Sequence, residues 1–532
     1  MSDLPLYTRP DVHERRWFLL GVLCLSLVMV VMAVSSLNVA MPTLQTELDT
    51  SATMLQWIVD AYALVFAGLL LTAGALGDRF GRKGALLVGL GVFATGSLIS
   101  GLADSAALVI VGRAVQGAGA AFIMPATLSL ITAVFPPAER QRAIAIWVGF
   151  AGAGGALGPI VSGALLERFW WGSAFLVNIP VVAITFAAVW IYSPRSRDED
   201  ATPLDPRGAL LSLVAMTGLL YGIIEGPERG WTSAVVVGTF VVTAVVIVAF
   251  VRWERIARHP MLPVSYFSDR RFSVGSATVT ASFFVMFGFF FLFSLYLQFA
   301  RGYSPLEAGL ATLPFAVAFV IVSPRSATLA ERIGSGRTIA YGFAVVGLGM
   351  TVMGAIGVDT PYLVLVAAMV LLSSGMAVVA APATSGIMSA VPMSKAGVGS
   401  AVNDTTRELG GALGIAVFGS IANSAYRANI DLGGLGLSTS EVAEAQESIG
   451  AASATAERIG GDAGAGIVER AASAFTDAVN LASIISAVIV IAAAVIVART
   501  FTRAEEAGAA AASQLVAPEP ERELVGAAAA QD

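Results

Sequence analysis

Three ionisable residues share one apolar stretch in the last third of the chain: Asp404, Arg407 and Glu408. At helical spacing Asp404 and Glu408 are four residues apart and fall on one face. Two close carboxylates in an apolar setting do not both ionise cheaply, so one tends to hold a proton. This makes Glu408 first, and Asp404 second, candidate proton carriers; the plainer alternative is that Arg407 neutralises Asp404 structurally. Arg113 is a further charge inside an apolar run. Burying it costs about 2.5–3.5 kcal/mol on insertion scales, so it needs a partner, and Asp60 lies at a similar depth in another run. A pair that parts and re-forms would shift the affinity of Asp60 for a proton; a static pair is the alternative. All of this is proton binding. Nucleophile motifs and His/Cys/Asp constellations are absent from the sequence. Its single cysteine (Cys24) and two distant histidines (His13, His259) suggest neither a disulfide framework nor a metal centre. We expect no enzyme, no catalytic residue and no cofactor.

These residues need a membrane to position them. Of 532 residues, 56% are hydrophobic and 13% charged, with a mean hydropathy of +0.79; a soluble chain carries about a quarter charged residues. A net charge of −6 argues against nucleic acid as a partner. A bilayer crossing needs about 20 apolar residues, and fourteen such runs occur, near 17–39, 54–76, 84–103, 106–134, 142–165, 173–192, 207–224, 233–251, 272–299, 305–324, 338–357, 361–391, 399–422 and 478–500. The first, after Arg15 and Arg16, reads as an uncleaved anchor rather than a signal peptide. With the N-terminus inside, only Arg168, Arg229, Arg301, Arg427, Arg458 and Arg470 of the 31 basic residues fall in outer loops, which places both termini in the cytoplasm. Segment 423–475 is then extracellular. It holds seven acids, three arginines and a capping-box pattern, Ser438-x-x-Glu441, that predicts a short surface helix in a solubilising loop. The Ala/Glu-rich tail 501–532 reads as disordered.

Three segment pairs repeat at offsets near 255. Leu76, Asp78, Arg79 and Gly81 recur as Leu329, Glu331, Arg332 and Gly334. Pro125-Ala-Thr127 recurs as Pro382-Ala-Thr384, and Gly154-Gly-Ala-Leu-Gly158 as Gly410-Gly-Ala-Leu-Gly414. The repeat shifts eight helices, an even number, so both copies cross the membrane the same way. The expected architecture is all-α: six helices (17–192), a linker (193–206), two inserted helices (207–251), a linker (252–271), then six helices (272–500), after an N-terminal tail (1–16). Parallel six-helix halves around a midplane site are a transporter architecture.

The loop between helices 2 and 3 reads Gly74-Ala-Leu-Gly-Asp78-Arg79-Phe-Gly81-Arg82-Lys83. Its glycines allow a tight turn and close helix approach. Asp78 is placed to cap a helix start or to pair with an arginine across the two halves; plain topogenic charge is the alternative. This stretch resembles the signature loop of the major facilitator superfamily. Arg113-Ala-Val-Gln116-Gly117-Ala-Gly119 resembles that superfamily's helix-4 motif, and Gly149 to Gly163, with Gly154, Gly158 and Pro159, the helix-5 motif of its exporters. Fourteen spans, Phe175-Leu-Val-Asn178-Ile-Pro180 and Leu204-Asp205-Pro-Arg-Gly208-Ala-Leu210 look like the EmrB/QacA branch of drug:proton antiporters. The resemblance covers roughly 15–500. It implies a bacterial cytoplasmic-membrane exporter driven by the proton gradient and commonly working as a monomer. It further implies a conformational gate at Gly74, Asp78, Arg79, Gly81 and Arg82, with Glu331 and Arg332 as the second-half counterpart, and coupling roles for Arg113 and the helix-13 acids.

Read without the family, the helix-5 glycines permit close backbone packing and Pro159 removes a hydrogen bond and bends the helix. Gly154, Gly158 and Pro159 thus form a candidate pivot, or merely a packing seam. The sequence departs from the family at Ala33, where an aspartate usually precedes the Asn38-Val-Ala-Met-Pro42 element. Asp60, Asp404 and Glu408 would then carry the coupling. Helix 9 is crowded with Phe283, Phe284, Met286, Phe287, Phe289, Phe290, Phe291, Phe293, Tyr296 and Phe299, which we expect mostly to meet lipid. Phe287, Tyr296, Trp57, Tyr62 and Gln116 are candidate substrate-wall residues for bulky amphipathic compounds. An endogenous metabolite or lipid as cargo, or a non-transporting sensor or scaffold, are the rival readings.

Overall fold

In lipid every backbone polar group must be satisfied within the protein, so long apolar runs become helices. The computed structural model describes residues 6–48, 50, 52–196 and 203–516 and contains no strand among them. Among the described residues fourteen helical spans are long and apolar enough to cross a bilayer. In chain order the main helices of these spans are α1 (Pro10–Ser35), α2 (Ala52–Phe80), α3 (Arg82–Gly101), α4 (Ala106–Val134), α5 (Pro137–Leu166), α6 (Asn178–Tyr192, in a span that begins at Ser173), α7 (Pro206–Arg229), α8 (Ala234–Ile256), α9 (Arg270–Leu295), α10 (Leu313–Ile333, in a span that begins at Leu306), α11 (Ser335–Met353), α12 (Tyr362–Ser389), α13 (Ala396–Asn429) and α14 (Gly461–Val516).

The packing repeats as the sequence does. In the first half α1 lies on α5, α2 and α3 on α4, and α3 on α6; in the second α9 lies on α13, α10 and α11 on α12, and α11 on α14. The halves meet along two seams, α2 against α13 and α5 against α10. The glycine repeat accounts for this symmetry. A Cβ on Gly154 would stand 3.2 Å from the Val28 carbonyl of α1, and one on Gly410 would stand 2.3 Å from the Thr280 carbonyl of α9. Gly81 and Gly334 both take positive φ, +112° and +87°, at the turns that begin α3 and α11.

The inserted helices are unequal. α7 packs on α2 and α13 and covers their seam, with Leu64, Ala67 and Leu220 buried together beside Trp57, Tyr221 and Ala412. A Cβ on Gly68 would meet the Thr217 hydroxyl at 2.6 Å. α8 touches α7 and little else; its Val241, Val242 and Val245 are about 60% exposed and form a lipid-facing surface.

Three expectations are corrected. The first apolar run, expected to 39, breaks at Ser36 and resumes as Leu37–Glu47. Most of the expected loop 423–475 is helical: α13 runs to Asn429, helices Thr439–Glu447 and Ile449–Ile459 follow, and α14 begins at Gly461 rather than 478. Ala445, Ile449, Ala452 and Ala456 are buried, so these helices pack against the bundle. The tail expected to be disordered from 501 is helical through Val516, and 517–532 lie outside the described residues.

Candidate functional site

Asp78, in the last turn of α2, is 2% exposed. Its Oδ1 accepts from the Gly397 N–H at 2.8 Å and its Oδ2 from the Val398 N–H at 3.1 Å. These are free donors at the start of α13, in the other half, where the helix dipole also favours a carboxylate. Arg82 donates to the same Oδ1 through Nε (3.1 Å) and Nη2 (3.0 Å), and its Nη2 reaches the Met393 carbonyl at 2.5 Å. Of the two uses foreseen for Asp78, the structure shows the cross-half cap, while the paired arginine belongs to the same loop. The backbones approach closely enough for this because Gly74 faces Gly397: a Cβ on either would lie 2.5 Å from the other's carbonyl oxygen. The linker after α6 joins in, with the Arg82 N–H on the Ser196 carbonyl and Lys83 Nζ on the Trp190 and Ser193 carbonyls. On the second seam Ser323 of α10 donates to the Ala145 carbonyl of α5 at 2.6 Å. The bundle is thus latched on the membrane face that carries the 77–83 loop. Arg79 stacks on its neighbour Phe80. Glu331 and Arg332 repeat the sequence but are exposed.

Arg113 is fully buried in α4. Its Nε donates to the Ile58 carbonyl (3.0 Å), and its Nη1 to the Ala33 carbonyl (3.3 Å) and Gln116 Oε1 (3.0 Å). Its guanidinium carbon sits 4.2 Å from the centre of the Tyr62 ring. The expected pairing with Asp60 is therefore corrected: α1 and α2 supply carbonyls and a ring face rather than that carboxylate. Tyr62 lies within electrostatic reach of both Arg113 and Glu408.

In α13, Asp404 is 1% exposed and pairs with Arg407 at 3.6 Å. Asn403 donates to the same Asp404 oxygen at 3.2 Å and itself receives the Thr384 hydroxyl at 3.0 Å. The other Asp404 oxygen is buried without a partner. Glu408, one turn on, is partly exposed. At about 1.5 Å per residue, Asp404 and Glu408 lie about 12 and 18 Å along α13 from its start at Ala396.

The candidate wall residues separate. Gln116 is structural, linking Arg113 to Ser97 Oγ at 2.7 Å. Tyr296 is fully buried and donates to the Gly357 carbonyl at 2.8 Å, so it anchors a loop instead of lining a wall. Trp57 leans on Tyr221 of α7, ring centres 6.4 Å apart. Phe287 is half-buried over Gly411. Of the helix-9 residues named, Phe289, Phe293 and Tyr296 are buried, six are half-buried and Phe291 is exposed; Phe289 and Phe293 stack inside the half. On α5 the glycines split by face. Gly154 and Gly158 press on α1, whereas Gly152 faces Phe319 of α10 across the seam, and Pro159 touches Gly309.

Two residues escaped the sequence reading. Gly397 carried a signal, a glycine at the start of an apolar run. Trp147 of α5 carried none, yet it is fully buried beside the α13 charges.

The family model described as Major Facilitator Superfamily matches residues 23–415. The chain belongs to the major facilitator superfamily. The multidrug efflux pump LfrA of Mycolicibacterium smegmatis is 36% identical over 90% of this chain and 94% of its own length. The methyl viologen resistance protein SmvA of Salmonella typhimurium is 33% identical over 87% and 93%. Among solved structures, the human organic anion transporter MFSD10 has the same fold, with a TM-score of 0.58 at 13% identity, covering 91% of this chain and all of that one. This superfamily member is a membrane transporter and not an enzyme.

Proposed function

We propose that this transporter exports bulky amphipathic compounds such as drugs, dyes or antibiotics from a bacterial cell in exchange for protons. The latched face is cytoplasmic, as are both termini, and the chain works as a monomer in the cell membrane. The supporting observation is the Asp78 carboxylate that leaves its own half to cap α13, with two carboxylates on that same helix 12–18 Å deeper, by the rise of about 1.5 Å per residue. A helix that holds the latch at one end and titratable groups at mid-depth can tie a proton to opening and closing. Residues 17–192 rock against 272–500, and loss of the Asp78 cap opens the cytoplasmic side. Glu408, the more accessible acid, takes the proton first; Asp404 follows, with Asp60 and Arg113 tuning the first half. The relatives that are a multidrug efflux pump and a methyl viologen resistance protein support the cargo class.

The test is ethidium efflux from pump-deficient bacteria expressing the protein. Efflux that stops on adding a protonophore supports the reading. Efflux that continues undiminished removes the proton from it.

A further inference from the structure

Arg407 does not behave as a simple counter-ion. A guanidinium serving one carboxylate approaches to about 2.7–2.9 Å and commonly uses two parallel hydrogen bonds. Here the pair with Asp404 is stretched to 3.6 Å and the second carboxylate oxygen is left buried without a partner. The guanidinium lies instead over two rings: its carbon is 4.6 Å from the centre of Phe283 and 5.5 Å from that of Trp147. Phe283 belongs to α9 in the second half and Trp147 to α5 in the first. Trp147 is oriented by its Nε donating to Thr127 Oγ1 at 3.3 Å. Counted from their helix starts at 1.5 Å per residue, Trp147, Arg407 and Phe283 lie about 15, 17 and 20 Å deep, at the middle of a hydrocarbon core about 30 Å thick.

Two aromatic faces beside a carboxylate form the chemistry that receives an organic cation. Nothing about a salt bridge requires them, and they come from opposite halves, where a bound molecule would touch both bodies that must move. We propose that Trp147, Phe283 and Asp404 form the subsite for the cationic head of a lipophilic organic monocation, and that Arg407 occupies it as an internal stand-in until that cation displaces it. The proposal rests on the exporter reading and names the ligand class of its central site. It also gives the unpartnered Asp404 oxygen a use, since an arriving cation approaches it directly. Displacement of Arg407 removes its contact with Trp147, so substrate arrival changes what joins the halves at mid-depth.

The experiment is equilibrium binding of tetraphenylphosphonium to the purified full-length chain at fixed pH, with folding monitored by thermal unfolding. Arg407→Gln empties the cage, and binding tightens by about tenfold; Trp147→Leu and Phe283→Leu each weaken it by about tenfold, the scale of one desolvated cation–π contact. Arg407→Lys, which keeps a charge to compete for the cage, stays near the wild type. A wild type that binds no tetraphenylphosphonium, an Arg407→Gln variant that binds it no tighter, or aromatic variants of unchanged affinity each overturn the subsite. If Arg407→Gln does not fold, the two aromatic variants decide alone. The two readings fail separately. Unchanged affinity in the aromatic variants beside protonophore-sensitive efflux sinks the subsite and keeps the exporter. Cage-dependent binding beside efflux indifferent to protonophore does the reverse.

Discussion

Asp78 accepts four hydrogen bonds, two from Arg82 and two from the first N–H groups of α13. Bonds to a charged group contribute about 1.5–3 kcal/mol each, so the carboxylate is a large share of what holds the latched face shut. Asp78→Asn turns one acceptor into a donor aimed at other donors. We expect initial efflux rates, normalised to protein in the membrane, to fall by at least about tenfold, the equivalent of one such bond. Arg113→Lys makes a different point. A lysine cannot span the Ile58 and Ala33 carbonyls and Gln116 with a planar fork, so transport assays should show it as impaired as Arg113→Ala; wild-type rates in the lysine variant would mean that charge alone suffices. At this scale the sequence was half legible. It singled out Asp78, Arg113, Asp404 and Glu408, because charge inside an apolar run is costly and therefore visible. It did not reveal their partners, since backbone carbonyls and helix-start N–H groups have no residue identity to read. Trp147 stayed hidden for the same reason: a buried aromatic on an apolar helix looks like core.

At the scale of elements, glycine spacing decides which helices may touch. Gly74 and Gly397 let α2 and α13 meet with no side chain between them, and a methyl on Gly397 would stand 2.5 Å from the Gly74 carbonyl. Gly397→Ala should stop the latch from closing and abolish efflux, while Gly84→Ala, with open space around it, should not change it; the same efflux assay reads both. The capping box at Ser438 forms as its spacing predicts, with the Ser438 N–H on Glu441 at 2.7 Å and the return bond at 3.3 Å. The Ser438 hydroxyl, donating to Glu441 Oε2 at 2.7 Å, and then the Ser438 N–H hold the Glu441 carboxyl below its ordinary value. Its contribution is therefore complete above the unfolded value, about pH 4.3, and fades as pH falls through the lower folded value. Ser438→Ala should lower the unfolding temperature of the 430–460 segment, followed by limited proteolysis on heating, without altering efflux. Hydropathy gave the helices that cross the bilayer but not the start of α14, because the stretch 461–477 mixes Ala and Gly with charge and reads as loop although alanine favours helix.

For the whole molecule, the duplicated halves were legible as an offset of about 255 residues, and the packing of the two halves repeats it. What the sequence withheld was the place of the inserted pair. α7 is fastened to the first half through Gly68–Thr217 and the Leu64–Ala67–Leu220 cluster. Its links to the second half are fewer, Ala412 and a Trp231–Ser420 bond at 3.1 Å. It should ride with the first half while covering the α2–α13 seam, leaving the α5–α10 seam uncovered. The chain has a single cysteine, Cys24, so paired cysteines can be placed after Cys24→Ser. A disulfide between Leu64→Cys and Leu220→Cys should leave efflux intact, and one between Gly152→Cys and Phe319→Cys should block it until reduced. The reverse pattern would place α7 with the second half.

The most direct test of the whole account is flux in vesicles holding only the purified protein, with an imposed pH gradient and tetraphenylphosphonium as cargo. The wild type should drive the cation against the proton gradient and dissipate that gradient as it does so. Glu408→Gln should lose the driven uptake yet still exchange labelled for unlabelled cargo. Gradient-driven uptake at wild-type rates in Glu408→Gln would contradict the assignment of the proton to α13, and with it the link between that helix and the latch.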